Sequence, residues 1–234
     1  MRHVLDFFAE SYYTIPILIV CQFCAAVVSY HHRNKFVELK YFHLYPIASL
    51  TQGIFALTCM ACMGEKMNSK SSEVSVVVFV FLEVLVFYNF LSNVIIINNL
   101  KLILRALFIA FLMFSIAVFV FTDTFYNSGM IITGEACIVI PSVCLYFVQL
   151  FKLPATFNIF EQPAFWINIG ILFLFSCTLP SVVLMFSVDE YILSESFYLI
   201  INFMGYSFLF LFLIRGYLCR KKNVVSARRK YAFI

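Results

Sequence analysis

The fold is decided by the segment Glu161-Gln162-Pro163-Ala164-Phe165-Trp166-Ile167-Asn168-Ile169-Gly170, which continues without a charge to Phe186. From Ala164 to Phe186 there are 23 uncharged residues, and a helix of that length measures about 34 Å at ~1.5 Å per residue. The hydrocarbon core of a bilayer is ~30 Å thick. We therefore predict a transmembrane helix here, with Pro163 in its first turn.

The composition extends this prediction to the rest of the chain. Hydrophobic residues make up 63% of the sequence and charged residues 12%, whereas soluble domains have ~45–50% and ~25%. A water-soluble core is thereby excluded. The residues before Tyr13 show no basic region followed by a cleavage site, so we expect the first span to remain in the mature protein.

Seven apolar segments each have roughly the ~17–25 residues that a spanning helix needs. Their joints are short and hold most of the polar residues, and no internal repeat is visible. The sequence predicts an all-α bundle of seven transmembrane helices as a single domain, 1–234, that ends in a short basic cytoplasmic tail, 219–234. The segments are Tyr13–Tyr30, Tyr41–Met63, Ser75–Ile97, Leu102–Phe121, Ile131–Phe151, Ala164–Phe186 and Ser196–Leu218.

The orientation follows from the 16 Lys and Arg residues. With the N-terminus outside, only Arg2, Lys66 and Lys70 are external, and the other basic residues lie on the cytoplasmic side. The positive-inside rule therefore predicts an N-out, C-in protein. The internal residues are Arg33, Lys35, Lys40, Lys101, Arg105, Lys152, Arg215, Arg220, Lys221, Lys222, Arg228, Arg229 and Lys230.

Span six has features of a transmission element. Phe165 and Trp166, the only Trp in the chain, fall at its cytoplasmic mouth, where aromatic rings anchor helices at the interface. Pro180 lies deeper and is expected to bend the helix. We predict that the outer half tilts about Pro180 while the inner end stays fixed. Pro16, Pro46 and Pro141 also lie within spans, and the deeper prolines are expected to bend their helices.

Two acids lie inside spans, Glu83 in span three and Glu135 in span five. Both spans enter from the outside, so we predict both carboxyls in the outer half of the membrane. Acids at such depth are costly and usually face the bundle interior or water. They indicate a ligand or proton site, with helix packing as the structural alternative.

Polar side chains on two spans are further candidates for ligand binding. Asn89, Ser92 and Asn93 are spaced to share one face of span three, about 120° around the helix from Glu83. Asn202 and Tyr206 are four residues apart on span seven. Such groups also form hydrogen bonds between helices, at about 0.6 kcal/mol each.

Cysteine and methionine offer a weak metal pattern. Seven of the eight Cys lie within apolar runs, so we expect no disulfide framework. The pairs Cys21-x-x-Cys24 and Cys59-x-x-Cys62 each share a helix face and resemble soft-metal ligands. Since Cys and Met also serve as ordinary packing residues, we expect no metal and no cofactor.

The sequence lacks the catalytic motifs of several enzyme classes. The four His form no H-E-x-x-H motif, and with 7 Gly there is no phosphate-binding loop or G-x-S-x-G. Span seven has no Lys before Arg215 to carry a retinal Schiff base. We expect neither catalysis nor nucleic-acid binding.

The run from Pro163 to Leu179 resembles span six of a family of uncharacterised seven-helix membrane proteins of Bacteroidota, which has the pattern P-x-F-W-(I/V)-x-x-G-x-L-x-Y-F-S-G-T. Leu174 replaces its aromatic residue and Cys177 its second Gly. The stretch 81–85 around Glu83 is similar to the acidic motif of span three in that family. The matching positions are Phe165, Trp166, Gly170, Leu172, Phe175, Ser176 and Thr178.

Members of this family are often encoded beside sensor histidine kinases or response regulators. The resemblance therefore implies a multi-pass protein of the bacterial inner membrane that signals to a histidine kinase or another signalling protein. Membrane lipids are expected partners. Whether the protein forms a homo-oligomer is left open by the sequence.

Three functions are compatible with these observations. The first is a sensor or receptor-like subunit whose outward cavity near Glu83 and Glu135 binds a small or lipidic molecule. The second is a small transporter or channel that uses Glu83 as an intramembrane carboxylate. The third is a structural subunit of a membrane complex.

The orientation yields the first prediction. A tag placed after Ile234 is expected to resist external protease in intact cells, because the basic residues hold that end in the cytoplasm. A tag at Met1 serves as the control and is expected to be cleaved. Cleavage of the C-terminal tag alone would reverse the assignment.

Overall fold

The chain folds into an all-α bundle of long apolar helices. The structure, a computed structural model, describes residues 11–62, 65–121, 124–152, 158–187 and 191–219. Those ranges contain no strand, and the predicted all-α membrane fold is confirmed. Their seven helices are α1 (Ser11–His31), α2 (Leu44–Cys62), α3 (Glu65–Val94), α4 (Asn98–Phe121), α5 (Thr124–Phe151), α6 (Pro163–Ser187) and α7 (Tyr191–Leu218).

Each predicted span coincides with one helix. Five stretches of the described residues are long and apolar enough to cross a membrane, and Pro16–His31 is a shorter apolar helix. The number of crossings and the N-out orientation stay predictions, and the tail after Cys219 lies outside the described residues. The five stretches are Val74–Val94, Asn98–Val118, Gly129–Phe151, Pro163–Val182 and Ile200–Leu218.

The helices do not pack in simple chain order. α1 contacts α2 and α7, α2 contacts α3, α3 contacts α5, and α5 leads through α6 to α7. These six helices form a closed ring of neighbours. α4 packs outside the ring, mainly against α5, and presents apolar side chains such as Leu102 and Met113 outward. The result is that α3 and α5, separated in sequence by α4, lie side by side.

The closest helix pair is α6 and α7, which share the most extensive contact among the described elements. Glycines make this approach possible. A Cβ on Gly170 would lie 3.1 Å from the Cβ of Phe212 and 3.3 Å from the Cα of Leu209, and one on Gly216 would lie 3.0 Å from the carbonyl oxygen of Pro163. Small residues at membrane helix interfaces allow this kind of dispersion contact.

The turn between α3 and α4 depends on a side chain from α5. The predicted third span ran to Ile97, but α3 ends at Val94. Three consecutive β-branched isoleucines follow, and such residues are poor helix formers. Gln149 Oε1 accepts hydrogen bonds from the amides of Ile96 at 2.6 Å and Ile97 at 3.4 Å, and its Nε2 donates to the Val94 carbonyl at 3.3 Å. The backbone groups left without helical partners at this turn therefore form their hydrogen bonds with Gln149 of α5.

The prolines divide into two groups. Pro163 is the first residue of α6, as predicted, and Pro46 is the third residue of α2. Pro46 was expected inside its span, but at this position it removes no intrahelical hydrogen bond because the first amides of a helix have no partner. Pro16, Pro141 and Pro180 lie inside their helices.

The glycine contacts yield a stability prediction. Gly170→Ala is expected to lower the free energy of unfolding by about 1–3 kcal/mol, because the Cβ of Phe212 and the Cα of Leu209 are among its nearest atoms in α7 and cannot rotate away. Chemical unfolding in detergent measures this change.

The matched control is Gly53→Ala in α2. A Cβ at Gly53 would meet Gln22 Oε1, the far end of a flexible side chain, at 3.0 Å. This oxygen has no hydrogen-bond partner among the described residues, so it can shift at less cost than main-chain atoms can. The free energy of unfolding of this variant is expected to stay close to that of the wild type. Equal losses in the two variants would show that the glycines do not set the α6–α7 distance.

Candidate functional site

Glu83 lies in the centre of the bundle. It is the tenth of the 21 residues of Val74–Val94, near the middle of that stretch, and its place in the outer half of the membrane stays a prediction. The side chain is 2% exposed, and the Tyr45 hydroxyl donates a hydrogen bond to its Oε1 at 2.8 Å. The carboxyl is thus held by a neutral donor from α2.

The joint between α1 and α2 brings Tyr45 to this depth. It contains a short 3₁₀ helix, Val37–Leu39, and it turns inward so that Leu39 and Phe42 are buried. α2 then begins inside the bundle, and the ring of Tyr45 packs at 5.0 Å from that of Phe87 and 6.3 Å from that of Phe210. Tyr45 is fully buried among apolar rings, with its hydroxyl directed at Glu83.

Glu135 on α5 belongs to the same site. It is also 2% exposed, and its Oε1 has no hydrogen-bond partner among the described residues. Its helix packs against α3, and its carboxyl interacts electrostatically with that of Glu83. Tyr45 interacts in the same way with both acids and with Tyr206 on α7. We call these four residues, Tyr45, Glu83, Glu135 and Tyr206, the carboxyl cluster.

The carboxyl cluster has a definite electrostatic property. Two carboxylates side by side in an apolar interior repel each other, and each one loses its hydration. Among the described residues, the Tyr45 hydroxyl is the hydrogen-bond donor to Glu83, and it carries no positive charge. Placing two negative charges on this cluster would therefore be costly.

Of the other predicted ligand residues, Asn89 lies elsewhere. Asn89 is exposed, accepts a 3.1 Å hydrogen bond from Asn93 Nδ2, and accepts one from Ser92 through its carbonyl oxygen. The predicted polar stripe therefore exists, but it borders a small groove beside Glu38 and Tyr41, away from Glu83. Asn202 is half-buried on α7, one turn before Tyr206.

The span-six residues form a junction between helices. Trp166 Nε1 donates to the Phe160 carbonyl at 2.8 Å, and its ring stacks on Phe212 of α7 at 6.0 Å. The Arg215 guanidinium lies 5.5 Å from the same ring. Phe165 packs edge-on against Phe147 of α5 at 6.2 Å. Trp166 thus contacts α7 and also lies in the first turn of α6.

Sequence reasoning missed two residues, Tyr45 and Gln149. Tyr45 had no distinguishing signal, because it is one of 13 Tyr in the chain. The hydropathy pattern also does not predict that the joint turns inward. Gln149 offered one, since an uncharged amide near the end of an apolar segment needs partners. Of the cysteines that resemble soft-metal ligands, the Cys59 and Cys62 side chains lie outside the described part of the chain.

The chain matches no protein-family model, no curated protein and no solved structure. The resemblance to the Bacteroidota family stays a prediction.

The Tyr45–Glu83 contact yields a prediction. Tyr45→Phe is expected to reduce the free energy of unfolding by about 1–3 kcal/mol, because it leaves a buried acceptor without its donor. In the Glu83→Leu background the same change is expected to cost much less, with a coupling energy of about 0.5–3 kcal/mol. Chemical unfolding of the four proteins in detergent measures the cycle.

Tyr146→Phe provides the matched control. Tyr146 is equally buried, and its hydroxyl donates to Gln162 at 3.4 Å, so its loss is expected to be the same with and without Glu83. Coupling of similar size in both cycles would mean that Glu83→Leu disturbs the whole bundle.

Proposed function

We propose that the protein is a seven-helix membrane sensor whose input is the protonation state of the carboxyl cluster. It signals to a cytoplasmic or membrane partner, for which a histidine kinase is our first candidate. The observation that carries this proposal is the burial of two acids, Glu83 and Glu135, on the packed helices α3 and α5, with the neutral Tyr45 hydroxyl as hydrogen-bond donor to Glu83.

Protonation of this pair would change contacts between helices. A carboxylate accepts a stronger hydrogen bond than a carboxylic acid does, so the bond from Tyr45 would tighten or loosen with the charge of Glu83. The acids belong to α3 and α5, and the two tyrosines belong to α2 and α7. One proton would therefore alter the balance of forces among four helices of the ring.

The contacts of α7 offer a route for the output. Lys35 Nζ donates to the Tyr217 carbonyl at 3.2 Å, and the Tyr217 hydroxyl donates to the Leu39 carbonyl at 3.4 Å. The end of α7 is thus attached to the α1–α2 joint, which also carries Tyr45 into the core. A shift at the carboxyl cluster would reach the basic end of α7, from which the chain continues into the predicted cytoplasmic tail.

The burial of the acids favours this function over a ligand pocket. Both side chains are 2% exposed, so neither faces an open aqueous cavity in this structure. A proton can reach buried carboxyls during a brief separation of the helices. A small molecule needs a cavity that persists while it is bound. A carrier that uses the same carboxyls for proton coupling is the second candidate, since its chemistry at Glu83 is the same.

Fluorescence of Trp166 tests the proposal, because it is the only Trp in the chain and it stacks on α7. In lipid nanodiscs the emission of the wild type is expected to change with pH, together with an infrared carboxyl band. Glu83→Gln and Glu135→Gln are each expected to remove both changes while the protein stays folded. Glu38→Gln, in the joint, is the control and is expected to keep them.

The possible outcomes separate the candidates. Emission and carboxyl bands that do not vary with pH in the wild type, or that vary in both Gln variants, would refute the proposal. Proton flux into dye-loaded liposomes that disappears in Glu83→Gln would instead favour the carrier.

A further inference from the structure

A groove of about 520 Å³ lies between α1 and α2, at the end of the bundle where their joint begins. Its walls are apolar side chains of the two helices, among them Phe23, Val27 and Leu50. Its rim is polar and comes from the end of α1 and from the joint, with His31, Arg33 and Asn34. The groove therefore changes from apolar to polar along its length.

The apolar wall faces outward. Phe23 is 58% exposed and Val27 is 51% exposed, on a helix whose stretch Pro16–His31 is apolar. In a membrane protein this surface is in contact with acyl chains. A hollow in such a surface accommodates one chain more closely than a flat helix face does.

Arg33 gives the rim its charge. Its guanidinium lies over the ring of Tyr30, with 3.9 Å from Cζ to the ring centroid. Stacking of this kind fixes the plane of the group and leaves its N–H donors at the edge for a planar or tetrahedral anion. Within the described ranges no carboxylate forms an ion pair with Arg33, so the positive charge is available at the rim.

We propose that this groove binds one anionic glycerophospholipid, with its phosphate on Arg33 and an acyl chain along Phe23 and Val27. Charge complementarity selects this occupant: the rim is cationic, the wall is apolar, and the groove opens toward lipid. Basic pockets between helices on the cytoplasmic side are suited to such head groups, and the joint with Arg33 is predicted to face that side. This site is independent of the carboxyl cluster and of the proposed function.

A fluorescent reporter in the groove tests the proposal. The variant Phe23→Trp with Trp166→Phe leaves one Trp, on the groove wall. In nanodiscs, brominated phosphatidylglycerol is expected to quench this Trp more than brominated phosphatidylcholine at the same mole fraction. Adding Arg33→Gln is expected to lower that preference about five-fold, the effect of one basic residue near a lipid head group.

Lys40→Gln is the matched control. Lys40 lies in the same joint, also over an aromatic ring, at 5.2 Å from the centroid of Tyr41, but outside the groove. Its removal is expected to leave the preference unchanged, which excludes a general effect of net charge. Equal quenching by both lipids with Arg33 present, or a preference that survives Arg33→Gln, would overturn the proposal.

Discussion

The hydrogen bond from Tyr45 to Glu83 is the interaction on which the centre of this bundle depends. A carboxyl buried within a span has no water to solvate it, so its partners must come from the protein. The hydroxyl of Tyr45, 2.8 Å away, meets this need only because the α1–α2 joint turns inward and starts α2 among buried aromatic rings. The position of α2 and the inward course of the joint are therefore linked to the presence of one acid on α3.

The rest of the bundle is held by a different kind of contact. Lipid chains are as apolar as the helix surfaces, so burial of apolar area contributes little to association between helices. Close approach has to supply dispersion contacts instead, and Gly170 and Gly216 permit it between α6 and α7. The structure thus has two features side by side. The polar centre specifies which helices are neighbours, and α6 and α7 form a tightly packed pair beside it.

Much of this fold could be predicted from the sequence, because apolar length alone identifies helices in a membrane. The carboxyl cluster could be predicted only in part. Glu83 and Glu135 stand out as acids within spans, but their proximity arises because α5 packs on α3 while α4 lies outside the ring. Hydropathy carries no information on which helices are neighbours. The end of α3 was misjudged for a similar reason, since its determinant, Gln149, lies 53 residues beyond Ile96.

The position of Gln149 has a consequence for biosynthesis. The amides of Ile96 and Ile97 leave the ribosome well before the side chain that will bind them, so the α3–α4 hairpin enters the membrane with this turn incomplete. Water at the membrane surface can satisfy these amides in the meantime. Only the arrival of α5 replaces that water with the Gln149 amide. The α3–α4 turn is therefore complete only when α5 is packed beside it, and its hydrogen bonds then join the hairpin to α5.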